Sequence, residues 1–339
     1  MLMRKNTIDG LKNQLSTNSK VSIIGHKNPD GDALGSTLGL SLFLNQLGLD
    51  SIVIMPNSFP DFLKWLPASD SVWCYDTDQA ECENQLLNSD FVFTLDFNHL
   101  GRTGDLGSFL STLSTSFVMI DHHQEPSDYA KYMLSDTSIA STCELVHEFI
   151  TSQYPEIKLT ADIASCLYTG IMTDTGSFRF PSTTSKTHRI IADLIDAGAD
   201  NSQIHQNTFD NNELSRLHLL GKALQNLKVI DSISTAYIYL SQEDLNSCGF
   251  KKGDTEGFVN YALSLKGIKF AVIFIENKAD DIIKISFRSI GDFDVNTFAR
   301  THYQGGGHKN AAGGKSDLDL NSTLIQFENT LGNYKDQLS

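Results

Sequence analysis

Several hydrophobic runs in this chain end abruptly in carboxylates or imidazoles. Residues 117–120 lead into Asp121-His122-His123, residues 21–25 into His26-Lys27-Asn28-Pro29-Asp30-Gly31-Asp32, and residues 91–95 into Asp96. If these runs are parallel, neighbouring strands, hard oxygen and nitrogen donors converge at the carboxyl edge of a sheet, where α/β proteins usually bind ligands. In the loop after residue 25, Pro29 and Gly31 let the backbone turn sharply enough to aim His26, Asp30 and Asp32 at one point. Carboxylates with one or two imidazoles per ion suit manganese, and also magnesium, iron or cobalt, better than a structural zinc. Asp174 completes a donor set of His26, Asp30, Asp32, Asp96, His122 and Asp174, enough for two ions. Asp96 is the candidate for sharing between them, which would hold the ions ~3.5–4 Å apart with a hydroxide between. The chemistry that needs such a pair is hydrolysis of a phosphoester.

Other readings stand beside this one. The first loop also fits an Asp-rich turn capping a helix that begins at Ala33, and a lone Asp after a strand is often a helix cap. Consecutive imidazoles at a strand-to-loop turn suit neither capping nor core packing. The run Gly305-Gly306-Gly307-His308-Lys309 has a different meaning: glycines leave N–H groups bare and close enough to wrap an anion, with His308 and Lys309 as side-chain donors. Arg288 and Ser289, at the end of an expected strand, could add a guanidinium and a hydroxyl to the same phosphate, and Arg102 is a further candidate phosphate ligand. A plain glycine turn and an ordinary surface arginine are the alternatives. The remaining histidines lack partners at ligand spacing and read as surface or structural residues. Phe178 and Phe180 read as core rather than as platforms for a base.

The elements that must position these groups follow from hydrophobic patterning. Residues 21–25, 51–55, 91–95 and 117–120 read as strands separated by helical stretches, which argues for βαβ units and a mainly parallel sheet. Helices are expected over 33–47, 139–152 and 160–172, and a long, interrupted helical tract over 184–227. Strands return at 236–240, 268–275 and 282–288, with helices over 256–265 and 294–301. The expected fold is therefore α/β: an N-terminal parallel-sheet domain with flanking helices over 1–185, a helical connector over 186–227 and a smaller C-terminal α/β domain over 228–339.

Bulk properties narrow the partners. With 41 acidic against 26 basic residues the formal charge is -15, which opposes the attraction used by binders of long duplex nucleic acid and leaves short single strands or small nucleotides. The five cysteines show no CxxC pairing, so neither a disulfide framework nor a zinc-thiolate site is indicated and a reducing compartment fits. Near the N-terminus Ile8, Leu11 and Leu15 recur at helical spacing without the apolar stretch of a signal peptide. No segment approaches the ~18–20 apolar residues that span a bilayer. The expectation is a cytoplasmic protein with no membrane partner, and a homodimer is a candidate assembly.

Taken together, these motifs resemble the DHH/DHHA1 phosphoesterase family, and most closely its NrnA-type branch of oligoribonuclease and 3'-phosphoadenosine 5'-phosphate (pAp) phosphatase enzymes. The segment His26 to Asp32, then Asp96, Asp121-His122-His123 and Asp174, match the four DHH motifs in order, and Arg288-Ser289 with Gly305-Gly306-Gly307-His308 match the DHHA1 domain. The resemblance implies two Mn2+ ions, with Mg2+ or Co2+ as substitutes, at the base of a cleft between the domains. It implies His26, Asp30 and Asp96 around one ion and Asp32, Asp96, His122 and Asp174 around the other. Asp121 would orient an imidazole, and His123 would lie near the scissile phosphate, stabilising its charge or assisting proton transfer to the leaving oxygen. The substrates implied are oligoribonucleotides of a few residues, released as nucleoside monophosphates, with pAp as a further candidate. A phosphodiesterase for dinucleotides such as cyclic di-AMP or pApA would use the same residues. A nucleotide sensor that binds without hydrolysing is the rival from another class.

Overall fold

The computed structural model describes residues 4–338. It divides into two compact units, Met1–Asn211 and Asn212–Ser339. The first unit contains, in chain order, β1 (Arg4–Asn6), β2 (Lys20–Ile24), α1 (Gly31–Gln46), β3 (Asp50–Met55), β4 (Trp73–Cys74), α2 (Gln79–Leu87), β5 (Phe91–Leu95), α3 (Asp105–Leu110), β6 (Ser116–Asp121), β7 (Tyr132–Asp136), α4 (Thr142–Gln153), α5 (Ala161–Asp174), α6 (Ser185–Asp196) and α7 (Asn201–Phe209).

Its strands form one seven-stranded sheet in the order β1-β7-β6-β5-β2-β3-β4. All neighbours are parallel except the β1–β7 pair at one edge. Strand residues alternate between two cores, as period-2 geometry demands. Ile23, Phe93, Val118 and Ile120 enter a core with α1, α4 and α5. Ile24, Val92 and Phe117 enter another with Cys82 and Leu86 of α2 and Leu106 and Leu110 of α3. This two-sided covering explains why β5 is buried throughout and reads as an unbroken apolar run. The chain runs outward from β2 to β3 and β4, then returns to lay β5 on the other side of β2. The switch point of the sheet therefore falls between β2 and β5, the strands that end at His26 and Asp96.

Helices α1 and α5 cross at very short range because of glycine. A Cβ on Gly35 would meet the carbonyl oxygen of Cys166 at 2.5 Å, and one on Gly170 would meet Cys143 Sγ at 2.2 Å and Asp32 Oδ1 at 2.9 Å. Only Gly at these positions lets the two helices close upon the Asp32 carboxylate.

Some expectations change. Strand β7 was not anticipated; its Tyr-Met-Leu-Ser-Asp sequence is buried on both faces yet carries no β-branched residue. Residues 7–19 form turns rather than a helix, with Gly10 at φ 86° and Ile8 and Leu11 buried at the spacing that suggested helical periodicity.

The second unit contains α8 (Leu214–Gln225), β8 (Lys228–Ile230), β9 (Thr235–Leu240), α9 (Gln242–Ser247), α10 (Phe258–Leu263), β10 (Phe270–Asn277), β11 (Ile282–Ser289), α11 (Val295–His302), β12 (Gly306–His308), β13 (Ala311–Ser316), α12 (Leu320–Leu331) and α13 (Lys335–Leu338). Its six-stranded sheet runs β12-β13-β11-β10-β9-β8, with only the β9–β10 pair parallel. One face packs a phenylalanine-rich core against α11 and α12, and the other packs Ile238, Ala271 and Ile273 against α8, α9 and α10. The architecture is mixed α/β, with a parallel-rich first sheet, helices through the middle and a smaller second sheet. No helix among the described residues is long and apolar enough to cross a membrane.

A Gly35→Ala substitution should lower stability by about 1–3 kcal/mol, because a backbone carbonyl must yield. In α8, Gly221 has nothing within 4 Å of its would-be Cβ, so Gly221→Ala should instead gain about 0.5–1 kcal/mol. Urea denaturation of the two variants checks the opposite signs.

Candidate metal centre

The loop after β2 does two jobs with one carboxylate. Asp30 is the N-cap of α1, its Oδ1 accepting from the amides of Asp32 (3.1 Å) and Ala33 (3.0 Å). Its Oδ2 faces His26 Nε2 at 3.7 Å. The capping and ligand readings of this loop are therefore compatible. His26 Nδ1 lies 2.9 Å from the Lys27 carbonyl, so Nδ1 carries a proton and Nε2 is the atom turned toward the carboxylates.

Asp96 follows β5 directly and adopts a left-handed backbone, φ 65°, with its amide donating to the Ile120 carbonyl at 3.2 Å. That turn drives its carboxylate between two imidazoles. Oδ2 lies 3.4 Å from His26 Nε2, and Oδ1 lies 3.4 Å from His122 Nε2. Oδ1 also accepts from Thr142 Oγ1 at 3.0 Å. His122 Nε2 further faces Asp174 Oδ2 at 3.4 Å and Asp32 Oδ2 at 3.8 Å. These separations exceed a good hydrogen bond, yet they suit donors placed around one cation with bonds of about 2.0–2.6 Å. Among the candidate donor groups of the described residues are His26, Asp30 and Asp96, and Asp32, His122 and Asp174, with the Asp96 carboxylate reaching toward both.

Asp32 is fully buried and accepts the amides of Thr142 (2.6 Å) and Cys143 (2.9 Å), at the N-terminus of α4. The helix end stabilises this charge through otherwise orphaned N–H groups. Asp174 closes the C-terminal end of α5. Asp121, also fully buried, lies behind the cluster: its Oδ1 meets His123 Nδ1 at 2.7 Å, and its Oδ2 has no partner among the described residues. Because the Asp121 carboxylate accepts, this arrangement puts a His123 proton on Nδ1.

Among the described residues, no lysine or arginine pairs with these five carboxylates. Burial, reinforced by the charges of Asp96 and Asp174, pushes Asp32 well above the usual carboxylate range. Burial likewise raises Asp174 to about 8, with Asp30 and Asp96 adding to it against the pull of His122. Burial also drives Asp96 upward, but its bonds to His122 and His26 outweigh that and hold it low. For His26 and His122 burial favours the neutral ring, and the surrounding aspartates overcome it and raise both. Three buried aspartates beside the partly exposed Asp174 and the exposed Asp30, with protons held near neutral pH, make a group short of positive charge, and hard O/N donors fit divalent cations.

The predicted substrate residues are placed as follows. Arg102 lies in a short turn (Leu100–Thr103) after Asp96, its carbonyl accepting the Lys27 amide at 2.9 Å. In the second unit Arg288 Nη1 donates to the Phe287 carbonyl at 3.0 Å. The Ser289 hydroxyl donates to the Phe293 carbonyl at 2.7 Å and accepts from Asn310 Nδ2 at 2.8 Å, so it is engaged in shaping a turn. The glycine run forms a hairpin rather than an open anion-wrapping loop, because β12 pairs with β13. Two amides expected to be bare are engaged: Gly305 donates to the Ala299 carbonyl at 3.2 Å and Gly307 to Asn296 Oδ1 at 3.0 Å. Packing demands the glycine at 305, where a Cβ would fall 2.0 Å from the Gly313 carbonyl oxygen. His308 is half-buried at the end of β12.

Sequence reasoning missed the Thr142 hydroxyl and the α4 amides. The Ser141 N-cap signal before α4 was the available clue.

Residues 20–171 match the N-terminal domain of the DHH family, and residues 234–331 match the DHHA1 domain. The chain is 28% identical to the bifunctional oligoribonuclease and PAP phosphatase NrnA of Bacillus subtilis, across 85% of this chain and 86% of that relative. It is also 28% identical to the NrnA of the same description from Thermus thermophilus, across 94% and 90%. A crystal structure of an exopolyphosphatase-related protein from Bacteroides fragilis superposes with a TM-score of 0.90 at 38% identity, covering 94% of both chains.

Since Asp174 holds a proton up to about pH 8 and Asp32 is raised as well, divalent metal should displace protons on binding at pH 7. Metal affinity should then rise with pH between about 6 and 8. In the metal-free protein the sign for stability is opposite: the folded state holds the Asp174 proton above the unfolded value of 3.8, so stability falls as pH rises toward 8. Calorimetry in buffers of different ionisation enthalpy measures the released protons, and pH-independent affinity would contradict this account.

Proposed function

The chain belongs to the DHH family of phosphoesterases and carries a DHHA1 domain, and from that premise we propose that it hydrolyses short oligoribonucleotides to nucleoside monophosphates, and pAp to AMP, with two manganese ions. The observation that carries this reading is the Asp96 carboxylate, directed by its left-handed turn toward His26 on one side and His122 on the other. His26, Asp30 and Asp96 would hold one ion, and Asp32, Asp96, His122 and Asp174 the other. When bound, such a pair supplies Lewis acidity at the phosphoryl oxygens and a water-derived nucleophile near neutral pH. Magnesium or cobalt could substitute, since the donors are hard oxygens and imidazoles.

The chain's own groups account for the rest of the reaction. Water adds to phosphorus, the bond from phosphorus to the ribose oxygen breaks, and that oxygen takes up a proton. His123 is suited to deliver it from Nε2, because Asp121 holds Nδ1 at 2.7 Å and so fixes the ring's orientation. Arg102 is assigned to the substrate phosphate beside the first loop. In the second unit, Arg288 supplies a guanidinium, and Gly305, Gly306, Gly307 and His308 offer close approach to backbone with an imidazole at its edge. Ser289 contributes by shaping the adjoining turn through Phe293 and Asn310. The charge of -15 supports short substrates in a cytosolic setting, because affinity then comes from the site rather than from following a long backbone. The relatives named as oligoribonuclease and PAP phosphatase support the same substrate class.

Asp96→Ala should abolish manganese-dependent turnover of tri- to pentaribonucleotides and pAp. His123→Ala should slow it by about 10²–10⁴-fold while metal uptake persists. Full turnover by Asp96→Ala would remove the mechanism. In the same assay, a preference for cyclic di-AMP or pApA over the RNA panel would shift the assignment to a dinucleotide phosphodiesterase, and metal binding with no turnover on any substrate would leave a sensor.

A further inference from the structure

The loop carrying His26 and Asp30 is held by a residue with no place among the metal donors. Asn28, in the middle of that loop, adopts φ 57°. Its amide donates to Asn57 Oδ1 at 2.7 Å, and Asn57 Nδ2 donates back to Asn28 Oδ1 at 3.2 Å. Asn57 Nδ2 also donates to the Ser58 carbonyl at 3.2 Å. Asn57 is 6% exposed and comes just after β3, the parallel neighbour of β2. On the opposite side of the loop, the Lys27 amide donates to the Arg102 carbonyl at 2.9 Å. The loop is thus gripped from both flanking strand ends, by main chain on one side and by a buried carboxamide on the other.

We propose that Asn57 is a positioning residue for the first metal cluster, setting the direction of His26 and Asp30 through Asn28. The inference rests on the reading of two metal sites given above. A carboxamide suits the task because it donates and accepts at once, whereas a carboxylate would have no proton for Asn28 Oδ1 and would add charge to a crowded group. The left-handed turn at Asn28 is one that Asn tolerates and most residues do not. It separates His26 from Asp30, so its loss swings the two donors apart. Asp32, His122 and Asp174 do not depend on this clasp; Asp32 is anchored by the α4 amides and His122 by its Nδ1 at 3.3 Å from the Ile139 carbonyl.

Manganese titration of the metal-free full chain by calorimetry provides the test. The wild type should bind two equivalents. Asn57→Ala should bind one with unchanged affinity and the other about 10–100-fold more weakly, the usual effect of removing a partner behind a ligand. Asn28 is exposed, so Asn28→Ala should fold even if Asn57→Ala does not. Left-handed strain at that alanine should weaken the same binding event in the same direction. A general loss of packing would instead lower both affinities together. Two undisturbed binding events in both variants, or equal weakening of both, would overturn the assignment of Asn57. A wild type that binds fewer than two ions would overturn it as well, by removing the two-site reading beneath it.

Discussion

The first unit is organised around the cost of placing several carboxylates where neither water nor a basic side chain can answer them. Asp32, Asp96 and Asp121 are all essentially buried, and their positive partners among the described residues are histidines that burial itself disfavours as cations. Each structural choice around them reduces that cost. The α4 N-terminus points its amides at Asp32, Thr142 offers Asp96 a hydroxyl, and the glycine-lined crossing of α1 with α5 brings Asp32 and Asp174 close enough to share a counter-ion. Removing the means of sharing would leave a cluster that repels itself. The fold and the divalent chemistry are for this reason one problem.

Much of this was readable before any coordinates. Parallel strands covered on both faces appear as unbroken apolar runs, so β5 and β6 announced themselves, and the aspartates at their ends were conspicuous by contrast. The six candidate donors lie in the loops after β2, β5 and β6 and at the end of α5. What escaped notice was carried by atoms without a side-chain signature. The amides of Thr142 and Cys143 are main-chain groups, and their role depends on where α4 begins in space. The turns over residues 7–19 escaped for another reason: buried Ile8 and Leu11 have the same spacing in a turn as in a helix.

The glycine run of the second unit shows how one composition serves two purposes. A string of glycines is consistent with an anion-binding loop and equally with a hairpin whose strands approach too closely for any Cβ. Here the hairpin is formed, with Gly305 against the Gly313 carbonyl and Gly307 bonded to Asn296. Arg288 lies on β11, which pairs directly with β13 of that hairpin. The residues that resembled a substrate site are thus mounted on sheet, a stiffer base than the loop that sequence suggested.

The left-handed turn at Asp96 also bears on how such a protein could change over time. Few L-residues accept φ 65°, and asparagine is the other side chain that does so readily. Exchanging one carboxylate oxygen for an amide nitrogen would keep the backbone, keep an acceptor for Thr142 and cancel the shared negative charge. At this position the backbone therefore does not by itself hold the carboxylate in place: a one-atom exchange alters the charge balance of the cluster and leaves the turn and the Thr142 contact as they were.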